Sequence, residues 1–146
     1  MTTAALSAIN LQADYDVAVT TPDAARWLLE KPGPLEVLAT MHSVTAPEQK
    51  FQARLLWGAY PDEPPSLKFR DPATGRLDLP TAWPKIRGFR PTSLDACVSW
   101  CAEGFALHPE WRQDARFRWT TDGNVLLKVL RILQSEFDDF FGGRHP

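Results

Sequence analysis

Two cysteines four residues apart, Cys97 and Cys101, carry the chemistry that this chain offers. Serine-nucleophile motifs, phosphate loops and dinucleotide fingerprints are absent. Cys97 stands in Leu94-Asp95-Ala96-Cys97-Val98-Ser99. A thiolate is both a strong nucleophile and a good leaving group, so it can accept an acyl group as a thioester and pass it on. A thiol that receives an already activated ester needs no cluster of basic neighbours, and none surrounds Cys97 in sequence. The plainer reading is that each cysteine is a small buried apolar residue, as free cysteine often is. Cys97-x-x-x-Cys101 with His108 offers three ligands at a spacing wider than structural zinc sites use, and those sites need four. His42 and His145 have no partner visible in sequence. No metal and no cofactor is expected.

Bulk properties narrow the setting. A chain of 146 residues suggests one domain, 1–146, able to bury roughly two-thirds of its unfolded surface. Apolar content of 44% with 23% charged residues is that of an ordinary globular protein. Net charge is −2 and the arginines are interleaved with carboxylates, which argues against a nucleic-acid surface. No apolar run approaches the ~20 residues of a membrane span, and the first residues do not read as a secretory signal. Two cysteines so close together are no secreted disulfide framework, so a cytoplasmic protein that meets neither membrane nor nucleic acid is expected.

The elements that must position the thiols are antiparallel strands and helices, an α+β pattern. Met1 to Thr20 is weakly patterned: Leu6, Ile9 and Leu11 suit a helical turn, while Tyr15, Val17 and Val19 alternate like a strand. Thr21, Pro22 and Asp23 read as the start of a short helix with Ala24, Trp27 and Leu28 on one face, stopped by Lys31-Pro32-Gly33-Pro34. Leu35 to Val44 reads as a strand, Ala46 to Gln49 as a turn, and Lys50 to Trp57 alternates with period two. Phe51, Ala53, Leu55 and Trp57 then face a core while Gln52 and Arg54 face water. Three prolines fall within Tyr60-Pro61-Asp62-Glu63-Pro64-Pro65, which makes a rigid crossing outside the ladder rather than a tight hairpin. Ser66 to Arg70 resumes a three- or four-stranded meander. Asp71 to Thr92 reads as a long loop pinned by Trp83 and Phe89, and a loop of that length suggests function. Leu94 to Glu103 fits either state and ends at Gly104. His108 to Trp111 reads as a turn. Val125, Leu126, Val129, Leu130, Leu133 and Phe137 mark a final amphipathic helix to Phe141, capped by Thr121 or Asp122 and stopped at Gly142-Gly143.

This order of elements, with Tyr60 to Phe69 between and into two strands, resembles the ubiquitin-conjugating enzyme family. Arg118-Trp119 and the Val125 to Phe137 helix are similar to the tryptophan and apolar helix that follow the family's cysteine, and the resemblance covers about residues 22–141. Departures are plain. The family's histidine-proline-asparagine tripeptide is replaced by Arg90-Pro91-Thr92, and His108-Pro109 falls after the cysteines. The interval from Tyr60 to Cys97 is about a dozen residues longer than in typical members, and the family's last two helices are missing. These features look more like the divergent bacterial conjugating-enzyme-like branch, which implies a cytoplasmic ubiquitination-like pathway of antiviral defence.

The resemblance implies an antiparallel meander flanked by an N-terminal and a C-terminal helix. It implies a transferase that accepts a ubiquitin-like modifier from an activating-enzyme-like protein, as a thioester on Cys97 with Cys101 the alternative, and passes it to a target. Such a protein would act as a monomer or in complex with its activating enzyme. Transfer to an amine passes through an oxyanion. Without the asparagine, its candidate donors are Thr92, Ser93 or loop amides, each of which equally suits a turn. Asp95 and Glu103 are candidates to steer or deprotonate a lysine, or are simply solvated. A second hypothesis is a noncatalytic module of the same fold that binds a ubiquitin-like protein or an activating enzyme.

Overall fold

A computed structural model describes residues 2–146, and period-two alternation accounts for its centre. β1 (Leu28–Gly33), β2 (Glu36–Met41), β3 (Phe51–Leu56) and β4 (Ser66–Arg70) form one antiparallel sheet in chain order. The register pairs Val37 with Leu55, Ala39 with Ala53, Met41 with Phe51, and then Ala53 with Phe69 and Leu55 with Leu67. All of these side chains therefore share one face, and each is at most 2% exposed. The α-helix at the C-terminal end, Val125–Phe140, belongs to the same core. Its Val125, Leu126, Val129, Leu130, Leu133 and Phe137 are fully buried, with the Phe137 ring 5.7 Å from Phe51 and 6.2 Å from Phe69. Each large apolar side chain buried this way contributes about 1.5–3 kcal/mol.

Four expectations are corrected. Residues 3–18 form one continuous helix, α1 (Thr3–Ala18), capped by the Thr2 hydroxyl accepting from Ala5 N, rather than a turn and a strand. Its inward residues are Ser7, Leu11 and Ala18, while Leu6, Ile9 and Val17 point to solvent, so apolar periodicity does not mark it. The segment after Thr21 is only a 3-10 turn, Pro22–Arg26, before β1 begins. The Thr21 hydroxyl donates backward to Ala18 O at 2.7 Å instead of capping a new helix. Pro32 falls on edge strand β1, where the pairing slips between Glu30 and Gly33 and the missing N–H is tolerated. Gln52 is buried, not wet: it accepts from Arg70 Nη1 at 2.7 Å and donates to Glu30. Finally, the C-terminal helix is capped by Asn124, whose side chain accepts from Leu127 N at 2.9 Å. Gly123, at φ +70°, turns the chain after exposed Thr121 and Asp122.

The proline segment is the hub between these parts. Tyr60 N donates to Ser7 Oγ of α1 at 3.1 Å, and its hydroxyl donates to Asp14 while accepting from Leu126 N at 2.9 Å. Burial, and next the bond to Asp14, pushes this hydroxyl well above its ordinary range, so it remains a donor. Pro61 O accepts from the Trp119 indole at 3.1 Å. Gly142-Gly143 does more than stop a helix: Gly142 N bonds Lys85 O at 2.8 Å and Lys85 N bonds Gly143 O at 2.7 Å. Among the described residues no helix is long and apolar enough to cross a membrane.

Candidate functional site

The long connection after β4 is pinned where expected. Trp83 is fully buried, its indole donates to Leu77 O at 3.0 Å, and its ring lies 5.4 Å from Phe69. Phe89 packs 5.5 Å from Phe69 and 6.3 Å from Trp100. The connection holds a 3-10 turn, Pro80–Ala82, and then becomes half of a small hairpin made of β5 (Phe89–Arg90) and β6 (Asp95–Ala96).

Alternation within this hairpin sorts its side chains. Phe89 faces Ala96 on the core side, and Arg90 faces Asp95 on the other. Arg90 forks onto Asp95 through Nε at 2.7 Å and Nη2 at 2.8 Å, and Ser93 Oγ donates to the same carboxylate at 3.1 Å. Burial pushes the Asp95 carboxyl up, but the bonds from Arg90 and Ser93 outweigh it and hold the group below its usual range. Leu94 closes the turn at φ +56°, a left-handed conformation unusual for a non-glycine residue, and its carbonyl accepts from Lys68 Nζ. Thr92 lies exposed at the tip, beyond the Arg90–Asp95 rung.

Cys97 extends this ladder by one rung, its N–H donating to Gly88 O at 2.7 Å. Gly88 adopts φ +93°, and a Cβ there would stand 3.3 Å from Cys97 O and from Val98 Cγ1. A side chain at residue 88 would crowd these atoms, and its left-handed φ favours glycine. Cys97 is partly exposed, and among the described residues no hydrogen bond reaches its sulfur. Cys101, by contrast, is fully buried, and burial, aided by Glu103, pushes its thiol well above the usual range. A thiol so placed presents neither surface nor thiolate to another molecule.

Cys101 leads into α2 (Ala102–Leu107). Gly104 does not end this element but sits inside it: a Cβ there would lie 2.0 Å from Val98 O. Only glycine lets α2 press onto the Cys97–Val98 backbone. Ala102 N donates to Pro65 O at 2.8 Å, tying the cysteine segment to the proline hub. Glu103, read from the sequence as a base or a solvated acid, accepts from Ser66 Oγ and from Leu67 N at 3.2 Å, and pairs with Lys68 at 3.6 Å. It fastens α2 to β4.

The structure thus gathers Ser93, Asp95 and Cys97 on one hairpin, with Thr92 at its tip and Cys101 in the core. His108 stacks on Trp111 at 4.3 Å and bonds Glu110, and among the described residues no three His, Cys, Asp or Glu side chains converge as metal ligands. Arg90 was not singled out by sequence, although opposite charges flanking a four-residue turn, Pro91 to Leu94, are a cross-strand signal. No family model, no curated protein and no solved structure matches this chain.

Proposed function

We propose that this chain is a ubiquitin-conjugating-enzyme-like carrier that holds a ubiquitin-like modifier as a thioester on Cys97. The observation that carries the reading is the placement of one partly exposed thiol on a braced hairpin, tied through Pro65 to the proline segment after a four-stranded meander, with the second thiol buried. That is the arrangement the family resemblance of Tyr60 to Phe69 leads one to look for. In loading, the Cys97 thiolate attacks the carbonyl carbon of the modifier's thioester on an activating-enzyme-like partner. A C–S bond to Cys97 forms, and the partner's sulfur leaves as thiolate. In transfer, a target amine displaces Cys97 in the same way.

A noncatalytic module binding the same partners is favoured by one observation: Ser93, a candidate oxyanion donor, is committed to Asp95, and Thr92 stands at the far end of the hairpin. The two readings separate in a loading reaction with an activating enzyme, ATP and a ubiquitin-like protein. The carrier acquires an adduct removed by a reducing agent. Cys97→Ala abolishes it, Cys101→Ala leaves it, and Cys97→Ser yields an oxyester that resists thiols. Retained binding with no adduct on the wild-type chain supports the module instead.

A further inference from the structure

We infer that Arg90, braced by Asp95, is the donor that meets the acyl carbonyl oxygen on Cys97 as it becomes an oxyanion. The inference rests on the carrier reading of Cys97 and supplies the group that neither Thr92 nor Ser93 is placed to supply.

The hairpin register carries it. Phe89–Ala96 and Arg90–Asp95 are successive rungs, and Cys97 N–Gly88 O is the next one on the open side. Arg90 and Asp95 therefore share a face, opposite the buried Phe89 and Ala96. The strands end there, and Cys97 follows Ala96 at the open edge of that face, where Val98 N bonds Ala96 O at 3.0 Å and the chain turns. Cys97 lies two residues past Asp95, the partner of Arg90, so the Arg90 and Cys97 backbones are about 7–8 Å apart, a gap that a long side chain spans. Gly88, across from Cys97, adds no side chain of its own, and the side chain nearest to where its Cβ would stand is Val98, whose Cγ1 is 3.3 Å away. The hydrogen bonds to Asp95 first, and then the charge of Asp95 and that of a Cys97 thiolate, raise the guanidinium's affinity for its proton.

The donor inventory agrees. A guanidinium has five N–H groups, and the fork to Asp95 uses one on Nε and one on Nη2. Three remain, on a side chain that is 44% exposed while its partner carboxylate is 13% exposed. Asp95 thus fixes the guanidinium plane from below and leaves its outer edge free. In the transfer step the target amine attacks the thioester carbon and a C–N bond forms. The carbonyl electron pair moves onto oxygen, and an Arg90 N–H donates a hydrogen bond to the resulting oxyanion. Collapse breaks the C–S bond, Cys97 departs as thiolate, and the amine's proton passes to solvent.

The test needs no modifier. Cys97 is acylated with the mercaptoethanesulfonate thioester of N-acetylglycylglycine, excess reagent is removed, and discharge to lysine amide is followed by intact mass. Arg90→Met should slow discharge on the order of 10²-fold, and added methylguanidinium should restore it where sodium chloride at equal ionic strength does not. Arg90→Lys keeps a counter-charge for Asp95, so it guards against loss of the fold; it should still discharge roughly tenfold slower. Wild-type discharge rates in a folded Arg90→Met, or in Arg90→Lys if the first variant does not fold, overturn the inference. Loading by an activating enzyme is a separate readout, so failure of the carrier reading appears there and failure of the Arg90 assignment appears here.

Discussion

The sheet with its C-terminal helix and the segment from Gly88 to Leu107 keep their shapes by different means. In the first, side chains do the holding: alternating residues of three strands and six residues of the helix fill one core, each essentially without exposure. In the second, a few buried side chains such as Phe89, Ala96 and Trp100 reach that core, and the rest is held by a short hairpin, one guanidinium–carboxylate fork, and Gly104, where a methyl group would collide with the chain. A packed core absorbs changes of volume by partial rearrangement. A backbone contact as close as Gly104 on Val98 has no such slack, so it adds a rigid hold to the side chains that the cysteine segment lends to the shared core. The contrast implies that the scaffold and the site can be broken separately.

The largest effect is expected in the scaffold. Leu130→Asp places an unpaired carboxylate among fully buried neighbours, which costs several kcal/mol against a typical total of about 5–15. Loss of the cooperative melt by circular dichroism is the expected outcome, and an unchanged melt would contradict the packing.

Next comes the backbone contact of the site. Glycine to alanine inside a helix ordinarily stabilises by up to about 1 kcal/mol. At Gly104 the sign should reverse, because Val98 O stands 2.0 Å from the added carbon; a loss of about 1–3 kcal/mol fits forced separation of packed groups. Urea denaturation gives the sign, and alkylation of Cys101, silent in the native wild type, should become measurable. A stabilised Gly104→Ala variant would remove the distinction between the two regions.

The smallest effect is electrostatic. Asp95 is held below its usual range in the folded state, so its contribution is present above the unfolded value of about 3.9 and is lost as pH falls through the lower, folded value. With Arg90 half in solvent, that contribution is a few tenths to about 1 kcal/mol. Urea midpoints compared at pH 5 and pH 2.5 should fall less for Asp95→Asn than for the wild type. Equal falls would mean that the pair contributes nothing to the hairpin.

What could be read from sequence follows the same division. Ser66–Arg70 is a strand with the expected bounds, and β2, β3 and the C-terminal helix lie within the expected spans, because burial there is by apolar side chains at regular spacing. α1 was not legible, since its inward face is only Ser7, Leu11 and Ala18 and part of its hold on the core runs through polar bonds of Ser7 and Asp14 to Tyr60. β1 was hidden by Pro22 and Asp23, which look like a helix start, and by Pro32, which an edge strand tolerates. At the site, Cys97 and Cys101 have similar apolar neighbours, so only the three-dimensional path separates the exposed thiol from the buried one. Gly104 against Val98 is a contact between loop and helix that no local periodicity encodes.

On the proposed function, Cys97, and not Cys101, carries an acyl group as a thioester. The most direct measurement is peptide mapping of the protein after reaction with an activating enzyme, ATP and a ubiquitin-like protein, quenched without reductant. The expected result is one modifier on the peptide containing Cys97, released by thiol treatment, with Cys101 unmodified until the chain is unfolded. A thiol-labile adduct on Cys101, or a modifier found only on lysine with Cys97 free throughout, would contradict it.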